Sequence, residues 1–321
     1  MSTSSAAALD RAAARIGARA ERDVPLGPLT TYRVGGRATV FVEARDEDDL
    51  RLVALAVGET GVPVLVVGKG SNLLVAEAGF PGIAVRLGPR FESMQIGDVE
   101  VAAGGAAALP TLARRAAAGG LRGLEWAVGV PGSVGGAVRM NAGGHGSDMA
   151  TTLITYRVVD LADPEGTGWF PVERLAYAYR SSSITPTQVV VGATLRARPG
   201  RREDAEAEVA EIVRWRREHQ PGGQNAGSVF TNPPDDAAGR LVEAAGLKGR
   251  RRGSARISEK HANFIQADDG GSADDVRALI DEVGTEVERR LGIRLRTEIR
   301  LIGYADTYPH VVADLDAGGE R

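Results

Sequence analysis

The sequence predicts an α+β protein of two or three domains. Strand and helix signals run through the whole chain, yet they do not alternate in the strand–helix–strand order that builds a doubly wound sheet. At 321 residues, the chain is longer than one hydrophobic core usually serves. A third observation concerns residues 129–146, GVPGSVGGAVRMNAGGHG, which hold seven glycines and few large side chains. Such a run has little to bury and loses much backbone freedom on ordering. It suits a place where backbone closely approaches a large ligand and N–H groups form a concavity for anions. A flexible linker would be Gly/Ser-rich and polar. Val130, Pro131, Val134, Val138 and Met140 instead predict a fixed, partly buried path.

The alanine-rich residues 1–20 predict a short helix or a frayed end. Residues 25–36, PLGPLTTYRVGG, read as loop and glycine turn. Residues 38–44 alternate and are β-branched, which predicts a strand. Asp46 then caps a helix with Leu50, Val53, Ala54 and Val57 on its apolar face. The apolar run 62–67 is a buried strand leading into Gly68-Lys69-Gly70-Ser71-Asn72-Leu73-Leu74. That turn is not a dinucleotide fingerprint, because Leu73 stands where the third glycine belongs and no helical pattern follows. It lacks the upstream glycine of a P-loop as well. A β-turn and a second phosphate cradle both remain open for it.

Residues 82–87 and 99–103 predict two more strands. Leu109–Ala118 predicts a helix stopped by Gly119-Gly120. Strands are expected over 153–159 and 189–195, with a loop at Tyr177-Ala178-Tyr179-Arg180-Ser181 between them. A charged helix covers 201–219, with Val209, Ile212, Val213 and Trp215 on its buried side. Residues 226–233 read as a glycine turn entering a short strand, and 236–245 as a helix closed by Gly246. Arg250-Arg251-Arg252 reads as a solvated surface. Residues 257–266, ISEKHANFIQ, carry Glu259, Lys260 and His261 ahead of a strand. Ser272 and Asp275 make an approximate capping box for a helix that ends at Gly292. Residues 293–302 are expected to be a strand holding Glu298, and from Tyr304 onward the chain reads as a loose polar tail.

Composition removes several function classes. The chain has no cysteine, which excludes disulfides, thiolate zinc sites, cysteine nucleophiles and a cysteinyl-linked cofactor. A net charge of −3 gives no broad basic field, so no nucleic-acid partner is expected. No apolar run approaches the ~20 residues of a membrane span. The N-terminus lacks a basic start followed by an apolar core, so a signal peptide is not expected and a cytoplasmic location is. The histidines, His145, His219, His261 and His310, do not pair at metal-ligand spacing, and no metal is predicted. No GxSxG elbow is present. Two glycine cradles point to a large phosphorylated ligand held by backbone. Arg180, Ser228 and Glu298 are polar residues that spacing alone cannot bring together.

The same residues carry a resemblance. Thr31-Tyr32-Arg33-Val34-Gly35-Gly36, Gly68 through Leu74, Pro131-Gly132-Ser133-Val134-Gly135-Gly136-Ala137, Asn141-Ala142-Gly143, Tyr179-Arg180-Ser181, Ala226 through Pro233, Ser258-Glu259-Lys260-His261-Ala262 and Glu298-Ile299-Arg300 stand in order. Together they resemble the UDP-N-acetylenolpyruvoylglucosamine reductases, flavin enzymes of bacterial peptidoglycan synthesis. The match spans about residues 25–303. No motif is decisive alone, but eight in register are hard to obtain by chance.

The resemblance implies a three-domain protein with an N-terminal extension over 1–24. An FAD-binding region of the vanillyl-alcohol-oxidase type would follow over 25–198, in two subdomains at about 25–87 and 88–198. A substrate-binding domain over 199–303 and a tail over 304–321 complete it. The absence of an extra segment between Ser183 and Ser228 is similar to the family's shorter subtype, which lacks a tyrosine-bearing loop. Non-covalent FAD would contact Arg33, Gly68, Lys69, Gly70, Ser71, Asn72, Leu73, Pro131, Gly132, Ser133, Gly135, Gly136, Ala137, Asn141, Ala142 and Gly143.

NADPH is implied as hydride donor, and UDP-N-acetylglucosamine enolpyruvate as the substrate reduced to UDP-N-acetylmuramate. Arg180 matches the arginine that engages the substrate carboxylate. Glu298 matches the acid that stabilises the enolate, and Ser228 the proton donor. Asn232, Lys260 and His261 match substrate contacts, and a monomer is expected. Two departures stand out: Gly144-His145 replaces an aromatic-bearing turn, and Thr297 replaces a proline. The alternatives are another flavin oxidoreductase of the same fold acting on a small alcohol or sugar, and a nucleotide-binding regulator without catalysis.

Overall fold

Helices and mostly antiparallel sheets are built side by side in this chain, as an α+β class requires. The structure is a computed structural model and describes residues 3–304. Chain contacts divide it into two compact units. The first comprises residues 1–24, 38–70 and 81–219, and the second 25–37, 71–80 and 220–321. These breaks differ from divisions at 87/88 and 198/199. The helix Arg202–His219 belongs to the first unit because Ala205, Val209 and Ile212 are buried in that unit's core.

Among the described residues, the first unit holds two two-stranded sheets and two larger ones. One has five antiparallel strands in the order Gly168–Pro171, Leu153–Asp160, Gln188–Arg196, Glu100–Gly104 and Met94–Ile96. Against it pack the helices Leu109–Ala118 and Val134–Met140, while Arg202–His219 packs on Leu109–Ala118, with Trp126, Met149 and Leu195 in the shared core. The helix Leu109–Ala118 has the predicted bounds, and Gly120 beyond it takes φ +74°, a left-handed conformation that glycine adopts without penalty. The other sheet is ordered Glu21–Pro25, Arg37–Ala44, Phe80–Leu87, Val64–Val66, the last pair being parallel. The predicted Asp46 cap is present: its carboxylate accepts from Asp49 N at 3.2 Å at the start of the helix Glu47–Thr60. The N-terminal stretch is a helix, Thr3–Ile16, that buries Leu9, Ala12 and Ile16 beside Leu50 and Val53.

The second unit packs the helices Ala238–Ala244 and Ala273–Leu291 around Leu241, Val276, Ile280 and Val283. A three-stranded sheet, Arg251–Arg252, Ala255–Ile257 and Ile265–Ala267, joins that core. Leu73–Val75 pairs in parallel with Arg300–Ile302, so the residues after the Gly68 turn are a strand, as the failed dinucleotide pattern requires. The basic run is a paired surface: Arg250 and Arg252 meet Glu282, and Arg251 meets Asp268.

Five expectations need correction. Val213 and Trp215 are not buried but 40% and 43% exposed, because the apolar face of their helix is narrower than periodicity suggested. Residues 226–233 form no strand, and residues 293–302 form one only at Arg300–Ile302; Phe230 and Thr297 make a single isolated bridge. The helix 236–245 begins at Ala238, because the Asp236 carboxylate turns to Ala237 N and to Arg240. The capping box is replaced by a relay. Ser272 caps Asp274 N at 3.1 Å, while Asp275 accepts from Ser254 Oγ at 2.7 Å, and Ser254 Oγ accepts from Ser272 N at 2.8 Å. The predicted tail beyond Tyr304, with His310, lies outside the described residues.

Candidate active site

The glycine stretch folds as a short helix, Val134–Met140, between two tight turns. Ser133 caps it, its buried Oγ accepting from Gly136 N at 3.3 Å. The helix docks on the backbone of the turn that follows the strand Glu100–Gly104: Val134 N donates to Ala107 O at 2.8 Å and Gly135 N to Gly105 O at 2.9 Å. These two amides are therefore spent on the protein. Gly135 has no room for a side chain, since a Cβ there would stand 2.7 Å from Val190 O and 3.1 Å from Gly105 O. Glycine serves at this point for close approach of helix to sheet.

Beside this helix lies a partly open pocket. Its floor is apolar, from Val66, Val67, Leu87 and Val190, and its rim brings together Gly68, Lys69, Ser133, Gly135 and Gly136. A Cβ on Gly68 would project to 2.7 Å from Ser133 Oγ, so the two predicted cradles face each other across this space. Arg86, Arg139 and Gln188 also line it. Sequence reading passed over these three; Arg139 stands inside the glycine stretch, but nothing in its spacing marks it. A backbone-walled slot with an apolar floor and cations at its rim fits an adenine dinucleotide. Pro131, Gly132 and Ala137 belong to the same loop and helix.

The C-terminal part of the stretch holds Arg180. Asn141, at φ +42°, ends the helix in the left-handed conformation. Its buried carboxamide donates to Ala178 O at 3.0 Å and accepts from Ala150 N at 2.9 Å. Both ends of that side chain are thus fastened to protein backbone. Gly143–Gly144 then pairs with Ser147–Asp148 through a turn at His145 and Gly146, both at positive φ, the geometry of a tight hairpin. Arg180 Nη2 donates to Gly143 O at 2.9 Å, and the guanidinium lies 5.2 Å from the Tyr179 ring centroid. Arg180 has φ +57°, a conformation that persists in a non-glycine residue only where the surroundings over-determine it. The bridge between Ala178 and Ser181 supplies that constraint. His145, the departure from the expected pattern, sets its ring edge-on to Trp215 at 5.1 Å.

The second unit holds the remaining predicted residues: Arg33, Ser71, Asn72, Leu73, Ser228, Asn232, Lys260, His261 and Glu298. Arg33 is exposed, on a turn where its N–H donates to Thr30 Oγ1. Glu298 is fixed through its backbone, its N–H donating to Val229 O at 2.7 Å and its carbonyl accepting from Asn72 Nδ2 at 3.1 Å. This brings Glu298 next to the Ser228-Val229 segment. That segment is held from its other side by Asn263, which is buried and was not foreseen. Asn263 Oδ1 accepts from Phe230 N at 2.9 Å and Nδ2 donates to Phe230 O at 2.8 Å, as a neighbouring strand would. Asn232 Oδ1 accepts from Ala238 N at 3.0 Å. Lys260 and His261 sit on a turn whose N–H groups both point to the buried Ser258 Oγ.

His261 Nδ1 accepts from Asn263 N at 3.3 Å, which selects the tautomer protonated at Nε2. Burial lowers its pKa, the hydrogen bond at its own backbone opposes that, and Lys248 adds to the lowering. A folded-state pKa below the ordinary ~6.5 means that the unfolded chain binds more protons in that window. Stability from this group is therefore complete above about pH 6.5 and is lost as pH falls through that value toward the folded pKa. Urea unfolding of the wild type is expected to weaken on acidification from pH 7 to 5, and His261→Gln to flatten that dependence. Equal slopes in both proteins would contradict the assignment.

A family model for an FAD binding domain matches residues 38–167, and one for the C-terminal domain of UDP-N-acetylenolpyruvoylglucosamine reductase matches residues 219–302. UDP-N-acetylenolpyruvoylglucosamine reductase 2 of Symbiobacterium thermophilum is 42% identical over 91% of this chain and 94% of its own. The reductase of Heliobacterium modesticaldum is 44% identical over 87% and 89%. The chain belongs to this reductase family. The crystal structure of the reductase from Thermus caldophilus, 35% identical, superposes with a TM-score of 0.77 over 88% of this chain and 99% of its own. The FAD model covers the floor residues Val66, Val67 and Leu87 and the whole glycine stretch, and ends before the strand that carries Val190. The reductase C-terminal model covers Ser228, Asn232, Lys260, His261 and Glu298.

Among the described residues no group of His, Asp and Glu could hold a metal ion, and no helix is long and apolar enough to cross a membrane.

Proposed function

We propose that the chain is an FAD-dependent UDP-N-acetylmuramate dehydrogenase. It reduces the enolpyruvyl group of UDP-N-acetylglucosamine enolpyruvate with NADPH, in the synthesis of peptidoglycan precursors. The observation that carries this reading is the bond from Arg180 to Gly143 O. It fixes the arginine assigned to the substrate carboxylate on the same loop that is assigned to the flavin.

FAD, when bound, would supply the hydride chemistry that links NADPH to the enolpyruvyl carbon–carbon double bond. The chain's own residues then handle charge and proton. Arg180 presents a planar, permanently charged fork to the substrate carboxylate, where negative charge grows as the enolate forms. Glu298 stabilises that enolate by sharing a proton, and Ser228 Oγ protonates the carbon. One hydride and one proton are added and NADPH is oxidised, so the reaction balances without another reactant. Asn232, Lys260 and His261 hold the uridine-diphosphate end. We assign FAD contacts to Gly68 through Leu73, to Pro131, Gly132, Ser133, Gly135, Gly136 and Ala137, to Asn141 through Gly143, and to Arg33. The reading makes the protein a cytoplasmic monomer of the family's shorter subtype, acting where cell-wall growth supports cell shape and division.

Purified protein is expected to be yellow and to lose that colour when NADPH is added without oxygen. A preparation that takes up no FAD overturns the reading.

A further inference from the structure

The pocket places three cations, Lys69, Arg86 and Arg139, around one space, and no carboxylate lines it. Lys69 is already paired, its Nζ standing 2.8 Å from Glu92 Oε1. The backbone contributes less charge compensation than a glycine cradle suggests, because the amides of Val134 and Gly135 donate to Ala107 and Gly105. A doubly charged ligand seated here needs side-chain cations. Arg139 is built for that purpose. It projects from the helix Val134–Met140, which is locked on the sheet, and its Nη1 donates to Thr185 O at 2.7 Å. That bond holds a planar, permanently charged group at the rim of the pocket, a shape suited to an anion.

We infer that Arg139, seconded by Arg86, is the cationic partner of the cofactor diphosphate and holds FAD largely by charge. The inference rests on the flavin reading above and adds the residues that set cofactor retention. Its competitor is a structural role for Arg139, in which the bond to Thr185 merely braces the loop.

The test uses holoenzyme and reads flavin fluorescence as FAD leaves on dilution, at low and at high salt. In the wild type, added salt screens the contact and speeds release. Arg139→Met is expected to release FAD roughly 10- to 100-fold faster at low salt, as loss of a hydrogen bond to a charged group predicts. It is also expected to show a much shallower salt dependence. Arg139→Lys is expected to keep most of the salt dependence, because the charge remains. Arg86→Met provides a second, independent readout and is expected to shift in the same direction by less. Faster release with an unchanged salt dependence means a brace and overturns the inference, as does unaltered release in Arg139→Met. Wild-type protein that binds no flavin removes the functional reading itself, whereas an unaffected Arg139→Met holoenzyme removes this inference alone.

Discussion

Replacing Ser228 by alanine is expected to slow reduction of the enolpyruvyl substrate by ~10²–10⁴-fold, as loss of a general acid does, while reduction of the flavin by NADPH proceeds normally. The asymmetry follows from what the hydroxyl does. Ser228 is half-buried, and its segment is held without it: Val229 N donates to Asn263 O at 2.8 Å, and the Asn263 carboxamide brackets Phe230. Removing one oxygen from that setting leaves backbone and packing in place, and stability is expected to stay within about 0.5 kcal/mol. The step lost is proton delivery to carbon. Stopped-flow traces of the two half-reactions separate these effects. Equal slowing of both would mean that the substitution disturbs the cofactor, and normal turnover would remove Ser228 from the proton path.

Gly135→Ala is expected to give protein that folds less stably and carries little FAD. The new methyl group would lie 2.7 Å from Val190 O, 3.1 Å from Gly105 O and 3.5 Å from Gly105 Cα. Val190 O belongs to the five-stranded sheet and Gly105 to the turn that follows the strand Glu100–Gly104; both are backbone and cannot swing aside as a side chain does. The helix Val134–Met140 must lift, which stretches the bond from Gly135 N to Gly105 O and moves Ser133 away from Gly68. Overpacking costs ~1–3 kcal/mol and the weakened hydrogen bond about 1 kcal/mol more. Gly144→Ala is the control, since a Cβ there meets nothing within 4 Å. Urea unfolding and the flavin content of purified protein should separate the two variants clearly. A Gly135→Ala protein matching Gly144→Ala in both would contradict the docking role of this glycine.

Local signals in the sequence were reliable where the physics is local. The helix Leu109–Ala118 and its Gly119-Gly120 stop, the Asp46 cap and the Gly292 C-cap at φ +70° depend on neighbours within a few residues. The approximate capping box failed because Ser254, distant in sequence, inserts between Ser272 and Asp275. Residues 293–302 have strand composition, yet only Arg300–Ile302 finds a partner strand. Composition does not say where such a partner ends.

The candidate site divides in the same way. The glycine motifs and the segments bearing Arg180, Ser228 and Glu298 could be read by resemblance, because their residue types are unusual in order and combination. Arg86, Arg139 and Asn263 could not, since an arginine in a strand or a lone asparagine carries no signal until the fold sets it beside its target. The glycine stretch reads as a cradle of backbone donors for a ligand, and the structure gives the amides of Val134 and Gly135 to the turn at Gly105–Ala107. Folding alone decides that allocation, and it shifts the expected source of charge compensation from backbone to side chains.

The central claim is that hydride passes from NADPH through FAD to an enolpyruvyl ether. The most direct measurement is the visible absorption spectrum of the holoenzyme, bleached under anaerobic conditions with one equivalent of NADPH and then mixed with UDP-N-acetylglucosamine enolpyruvate. The predicted result is rapid return of the oxidised flavin spectrum together with stoichiometric UDP-N-acetylmuramate. A flavin that stays bleached on addition of this substrate, and recovers only with oxygen, would contradict it.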